Sequence, residues 1–197
     1  MQRITEITKL HREMIVRWHT KPIENHYTGF LGLVCQQLTY NFQLWHEEDI
    51  ARSKDVPDST IAQVKRAIDR YNQQRNDYIE KLDDWITDRL EQLQVTPAPN
   101  ATQNTETAGS SIDRLAILAL RIYHLQEQAE RTDATPEHRA SVAGKLGIAV
   151  MQQQDLSRSA QELIDDIFAG RKKHKTYRQM KMYNDPTLNP YLYKAAG

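Results

Sequence analysis

Polar side chains able to hold a small ligand fall in rows at helical spacing, beside apolar positions rather than opposite them. Asn41, Trp45, Glu48 and Arg52 recur at steps of four, three and four, with Asp49 alongside. Lys65, Asp69, Asn72, Asn76 and Asp83 fall at similar azimuth on a later segment, with Arg75 on the other border of its apolar stripe. Asp113, Arg121 and His124 share one side of a third segment that is otherwise greasy. Asn and Asp disfavour helix interiors by some tenths of a kcal/mol each, so their placement beside core positions needs a reason. A helix apolar around most of its circumference must be covered on most faces, and polar groups on it then need partners. The three rows together predict a polar cluster between three helices.

Three readings of that cluster stay open. A satisfied network of ion pairs and amide bonds would fix helix register. The rows would alternatively face solvent. As a ligand site, His124 is the candidate general acid/base, because imidazole titrates near neutrality. Asp113 or Glu48 would orient it, and Arg75 or Arg121 would hold an anion, with Asn41, Arg52, Asn72, Asn76 and Asp83 as further binding candidates.

The segments that must position these residues read as helices. Ile4, Ile7, Leu10, Met14 and Trp18 share one helical face. A second helix runs from about Gly29 to Arg52, and a third, the longest, from about Ser59 to Gln94 with Pro57 and Asp58 at its start. Its stripe is Ile61, Val64, Ile68, Ile79, Leu82, Ile86 and Leu90. VTPAPNATQNTETAGSS has no periodicity and predicts a flexible loop over 95–111. Ser110-Ser111-Ile112-Asp113 resembles a capping box and opens the greasy helix, expected to be the central one. A last long helix follows Thr135-Pro136-Glu137 and ends at Gly170. The expectation is an all-α, single-domain bundle of about five main helices over residues 1–170. An ordered, irregular C-terminal arm over 171–197 would pack against it.

That arm is basic and apolar at once. Lys and Arg balance Asp and Glu at 26 each, yet residues 171–197 hold seven Lys/Arg against Asp185 alone. Met180, Met182, Tyr183, Leu188, Tyr191, Leu192 and Tyr193 are too apolar to float free, and two Asx-Pro pairs break helix. Docking of the basic stretch on the acidic remainder is favoured over nucleic acid.

Other chemistries lack their residues. His46-Glu47-Glu48-Asp49 is metal-like in composition, but consecutive residues point around a helix. No Glu-x-x-His repeat occurs, and His11 with His19 has no carboxylate partner in view, so no metal is expected and no cofactor is named. Asp83-Asp84 with Asp88 is similar to the aspartate-rich helix of isoprenoid synthases, but a second such motif is missing. A Gly-rich phosphate loop, Gly-x-Ser-x-Gly and His-Glu-x-x-His are all absent. Cys35, the single cysteine, reads as a buried small hydrophobe. The N-terminus lacks a signal-peptide pattern and nothing approaches a membrane span, making cytoplasm the expected compartment.

NFQLWHEEDIAR, KRAIDRYNQQRNDYIEKLD, SIDRLAILALRIYHLQEQ and YRQMKMYNDPTLNPYLY, in that order, resemble a bacterial family, domain of unknown function 4254. The resemblance implies a bacterial, cytoplasmic helical protein and an association with glycosyltransferases of cell-surface polysaccharide synthesis. It implies no activity. The matching blocks contain the polar rows and add Lys181 as a binding candidate. Two functions are expected to compete. One is binding, with or without transformation, of a small anionic metabolite such as a phosphorylated or nucleotide-linked sugar. The other is a non-catalytic accessory role, docking a protein such as a glycosyltransferase. Apolar rows on the first and last helices would pair within one chain or across an oligomer.

Overall fold

Five long helices carry the apolar periodicity, in a computed structural model that describes residues 3–180, 182 and 185–193. Helix α1 (Ile4–Trp18) buries Ile4, Ile7, Leu10, Met14 and Trp18, the face expected from their spacing. Helix α2 (Gly29–Ala51) follows a turn through Gly29, whose φ of 58° suits glycine alone without strain. Helix α3 (Asp58–Gln92) starts after Pro57 and buries Val64, Ile68, Ile79, Leu82 and Ile86. Helix α4 (Ala108–Glu130) is the central element, packing against α1, α2, α3 and α5. Helix α5 (Pro136–Phe168) is capped by the Thr135 side chain, which accepts from the His138 N–H. A single turn, α6 (Pro190–Tyr193), closes the described chain.

The closest partnerships are α2 along α3 and α4 along α5. One apolar core joins them, with Leu38, Leu82, Ile86, Ile112, Leu115 and Ile164 at its centre. A smaller cluster of Leu44, Val64 and Ile68 holds the far end of the α2–α3 pair. Cys35 lies fully inside, and burial pushes its thiol up to about 12, which leaves it inert at neutral pH. No helix among the described residues is long and apolar enough to cross a membrane.

Two local expectations change. The 95–111 segment is pinned rather than loose. Strand β1 (Thr102–Gln103) pairs in parallel with β2 (Lys172–Lys173), and the Ala98 N–H donates to the Gly170 carbonyl at 2.9 Å. Backbone pairing with a segment about seventy positions away leaves no periodic signal. Helix α4 also starts before Ser110, because the Thr107 hydroxyl accepts the Ser110 N–H at 3.1 Å and serves as N-cap.

The arm divides. After β2 it follows α3 over 174–179, with His174 Nε2 3.0 Å from the Asp83 carbonyl, Arg178 bridging Glu80 and Asp84, and the Gln179 N–H donating to Glu80. Beyond it, Met180, Met182, Leu188, Tyr191, Leu192 and Tyr193 are exposed, against the expectation that they pack on the bundle. Tyr183 lies outside the described residues.

Candidate functional site

Asp113 is the pivot of the polar cluster. It sits one turn into α4, 3% exposed, and its carboxylate accepts from three side chains. The Asn41 amide donates at 2.9 Å, the Gln37 amide donates to the same oxygen, and Arg75 engages both oxygens through Nε (2.8 Å) and Nη2. Two parallel N–H bonds to one carboxylate fix a guanidinium's plane as well as its position. Asp113 holds the Arg75 guanidinium above its ordinary range, through these bonds first, against the opposing effect of burial. The buried carboxylate therefore has a paired charge and satisfied acceptors, as burial demands.

Above this anchor lies a cavity of about 420 Å³ between α2, α3 and α4. Asn41, Glu48, Asp49, Arg52, Asn72 and Arg75 supply its polar wall. Leu44, Trp45, Ile117 and Leu120 supply the apolar one. The α2 row thus enters the cavity whole, because its four-three-four steps keep one face of the helix toward α3 and α4. Arg52 pairs with Glu48 at 2.8 Å, yet its side chain is 70% exposed. It is an exposed cation on the same cavity wall as Arg75, which Asp113 fixes.

The structure separates other expected members. His124 does not meet Asp113 or Glu48; its Nδ1–H donates to Glu127 at 2.8 Å, one turn onward on α4. Its ring stacks on Trp45 with centroids 5.0 Å apart, so the indole stands between His124 and the cavity. The expected acid/base group and its expected orienting acids are thus on different sides of Trp45. Arg121 is exposed and lines the α4–α5 groove with Gln152 and Asp155, because eight residues from Asp113 leave it about 80° around the helix. Asn76 is half-buried on α3 but is not part of the cavity wall, and Lys65 pairs with Asp69 on the surface. Lys181 lies outside the described residues.

Asp83 serves the fold elsewhere. It is buried at the start of α4, where its Oδ1 accepts the Gly109 N–H at 2.8 Å. A carboxylate there complements the positive end of the helix and satisfies an otherwise unpaired donor. Burial raises its pKa, partly offset by bonds from Thr107 and Gly109. The approach is close: a Cβ on Gly109 would sit 2.6 Å from the Ile79 carbonyl oxygen and 2.9 Å from Asp83 Oδ1.

Gln37 is the cavity-anchoring residue that the sequence reading lacks. It lies one turn before Asn41 on the same face and is fully buried, which extends the α2 row by four residues.

Residues 31–176 match the profile of a family described as protein of unknown function (DUF4254), and the chain belongs to that family. No curated protein matches, and no solved structure does.

Proposed function

We propose that this member of DUF4254 binds a small anionic metabolite, of the phosphorylated or nucleotide-linked sugar class, in the cavity between α2, α3 and α4. The observation that carries the reading is the presence of one carboxylate-held and one exposed guanidinium on a mixed wall of carboxylates, amides and an indole. Its volume is within the range of about 300–1,000 Å³ usual for small-molecule sites. Arg75, locked by Asp113, offers a pre-oriented edge, and Arg52 can leave Glu48 for a phosphate. Glu48, Asp49 and Asn72 suit sugar hydroxyls, and Trp45 with Leu44 suits the ring's apolar face. Glu48, Asp49 and Asp113 outnumber the two arginines, so selectivity favours a ligand that presents hydroxyls together with its anionic group. A bacterial, cytoplasmic setting beside cell-surface polysaccharide synthesis belongs to the same proposal.

Isothermal titration and thermal shift against nucleotide sugars, sugar phosphates and the free nucleotides test it. A ligand at one hundred times its Kd should stabilise the chain by about 2.7 kcal/mol. Arg52→Ala should weaken that ligand at least ~10-fold without changing the unprotected unfolding midpoint. Binding that survives both Arg52→Ala and Asn72→Ala would remove the cavity from consideration.

A second reading rests on the arm. Tyr177, Met180, Leu188, Tyr191, Leu192 and Tyr193 are exposed together on a basic segment, a combination suited to docking a protein such as a glycosyltransferase. Loss of co-purifying protein on deletion of 180–197, with metabolite binding intact, is its distinguishing result.

A further inference from the structure

Three histidines from three helices meet behind Trp45. His19 caps the end of α1, His46 lies within the last two turns of α2, and His124 lies within the last two turns of α4. Their ring centroids form a near-regular triangle, with sides of 5.2, 5.2 and 5.6 Å. The ring planes are 70° to 80° apart, so no two of these imidazoles stack. One nitrogen from each ring lies within 4.8 Å of the other two.

Hydrogen bonding identifies the free nitrogens. His19 Nδ1 is 2.7 Å from the Ile15 carbonyl and His124 Nδ1 is 2.8 Å from the Glu127 carboxylate. Carbonyls and carboxylates only accept, so in the neutral form of each ring Nδ1 carries the proton and Nε2 the lone pair. The Nε2 atoms of His19, His46 and His124 are all buried and none has a hydrogen-bond partner. A buried polar atom without a partner is costly, and three on neighbouring rings call for a common explanation. Aromatic neighbours hold the rings in place: Tyr123 stacks on His19 at 4.0 Å, Trp45 on His124, and Phe42 meets His19 and His46 edge-on.

We infer that His19, His46 and His124 form a three-histidine site for a divalent transition metal, with Zn²⁺ the best-suited ion. Neutral imidazole nitrogens are among its common ligands, and three of them leave a fourth position open. Tetrahedral bonds of ~2.0–2.1 Å place ligand nitrogens ~3.3 Å apart, so closure from the present arrangement takes ring movements on the order of 1 Å. Glu127 and the Ile15 carbonyl are the outer partners that fix the tautomer of two ligands, the pattern that accompanies metal-bound histidine. The facing charged groups are Asp49 and Glu127, both acidic, and the α1 end adds the negative pole of its helix. The three histidines are not part of the proposed metabolite cavity: the two sites share Trp45 as a wall and Asp49 as a neighbouring acid, but no histidine lines the cavity.

The test is titration of the full-length chain with Zn²⁺ after chelator treatment and dialysis, read by calorimetry and by competition with a chromogenic chelator. One equivalent should bind, and Co²⁺ in its place should give the absorption of a tetrahedral nitrogen-ligated ion. His46→Ala and the similarly sized His46→Gln should each weaken binding at least ~100-fold. Glu127→Gln should weaken it roughly 10–100-fold, as expected for an outer partner. His26→Ala and His138→Ala, on the surface, should leave it unchanged. A wild type that takes up no equivalent of Zn²⁺, or a folded His46→Gln that binds as tightly as wild type, overturns the site.

Discussion

His11 sits in the α1 interface fully buried, with neither ring nitrogen hydrogen-bonded. Burial lowers its pKa to about 3, so the folded protein keeps it neutral where an unfolded chain would protonate it below about 6.5. The sign follows. A depressed folded-state pKa contributes stability that is fully present above about 6.5 and is lost as pH falls toward 3. The slope in that window is about 1.4 kcal/mol per pH unit. His46, whose pKa is also lowered by burial and by His19 and His124, acts in the same direction. Urea unfolding should therefore show stability falling between pH 6.5 and pH 4, with the fall shallower in His11→Leu by about that slope. Equal pH dependence in the two proteins would mean that His11 is hydrated in the fold. From sequence His11 is simply one position on an apolar face; its isolation from any partner is a property of the neighbours.

At the scale of elements, one acceptor on α3 holds the first turn of α4. Asp83 Oδ1 takes the Gly109 N–H, and glycine is needed where the Ile79 carbonyl comes within 2.6 Å of the missing Cβ. Asp83→Asn retains an acceptor and removes a charge that burial makes unfavourable, so it should cost less than ~1 kcal/mol. Asp83→Ala leaves the amide unpaired and should cost roughly 1–3 kcal/mol. Denaturant midpoints at constant slope distinguish them, and equal losses would show that the charge at the helix end matters more than the bond. The helices themselves were legible, because 3.6-residue periodicity survives in any context that buries one face. The pinned 95–107 segment was not. Its order comes from Gly170 and the β2 backbone, and main-chain bonds between distant segments leave no mark on side-chain pattern.

For the whole molecule, charge distribution places the arm. Its seven Lys/Arg balance a remainder of the sequence that is net acidic, and Arg178 meets Glu80 and Asp84 on α3. These exposed pairs are screened by salt, since the Debye length falls from about 10 Å at 0.1 M to 3 Å at 1 M. Limited proteolysis within 175–190 should speed up several-fold in 1 M salt or in Arg178→Glu, while the thermal midpoint hardly moves. A midpoint that falls with the arm's release would make the arm part of the cooperative unit.

Sequence alone determined the all-α class, the central place of α4 and the α2 row that enters the cavity, because each follows from periodicity along one helix. It also marked Asp113 and Arg75 as members of a cluster, since a greasy helix cannot leave a carboxylate unpartnered. Which residues meet was decided by tertiary structure. Arg75 rather than His124 takes Asp113, Trp45 parts His124 from the cavity, and His19, His46 and His124 converge from 105 residues of chain. The physical reason is that contact between helices depends on their relative rotation and axial shift. A few degrees or one residue of register exchange one partner for another without altering the pattern of either helix.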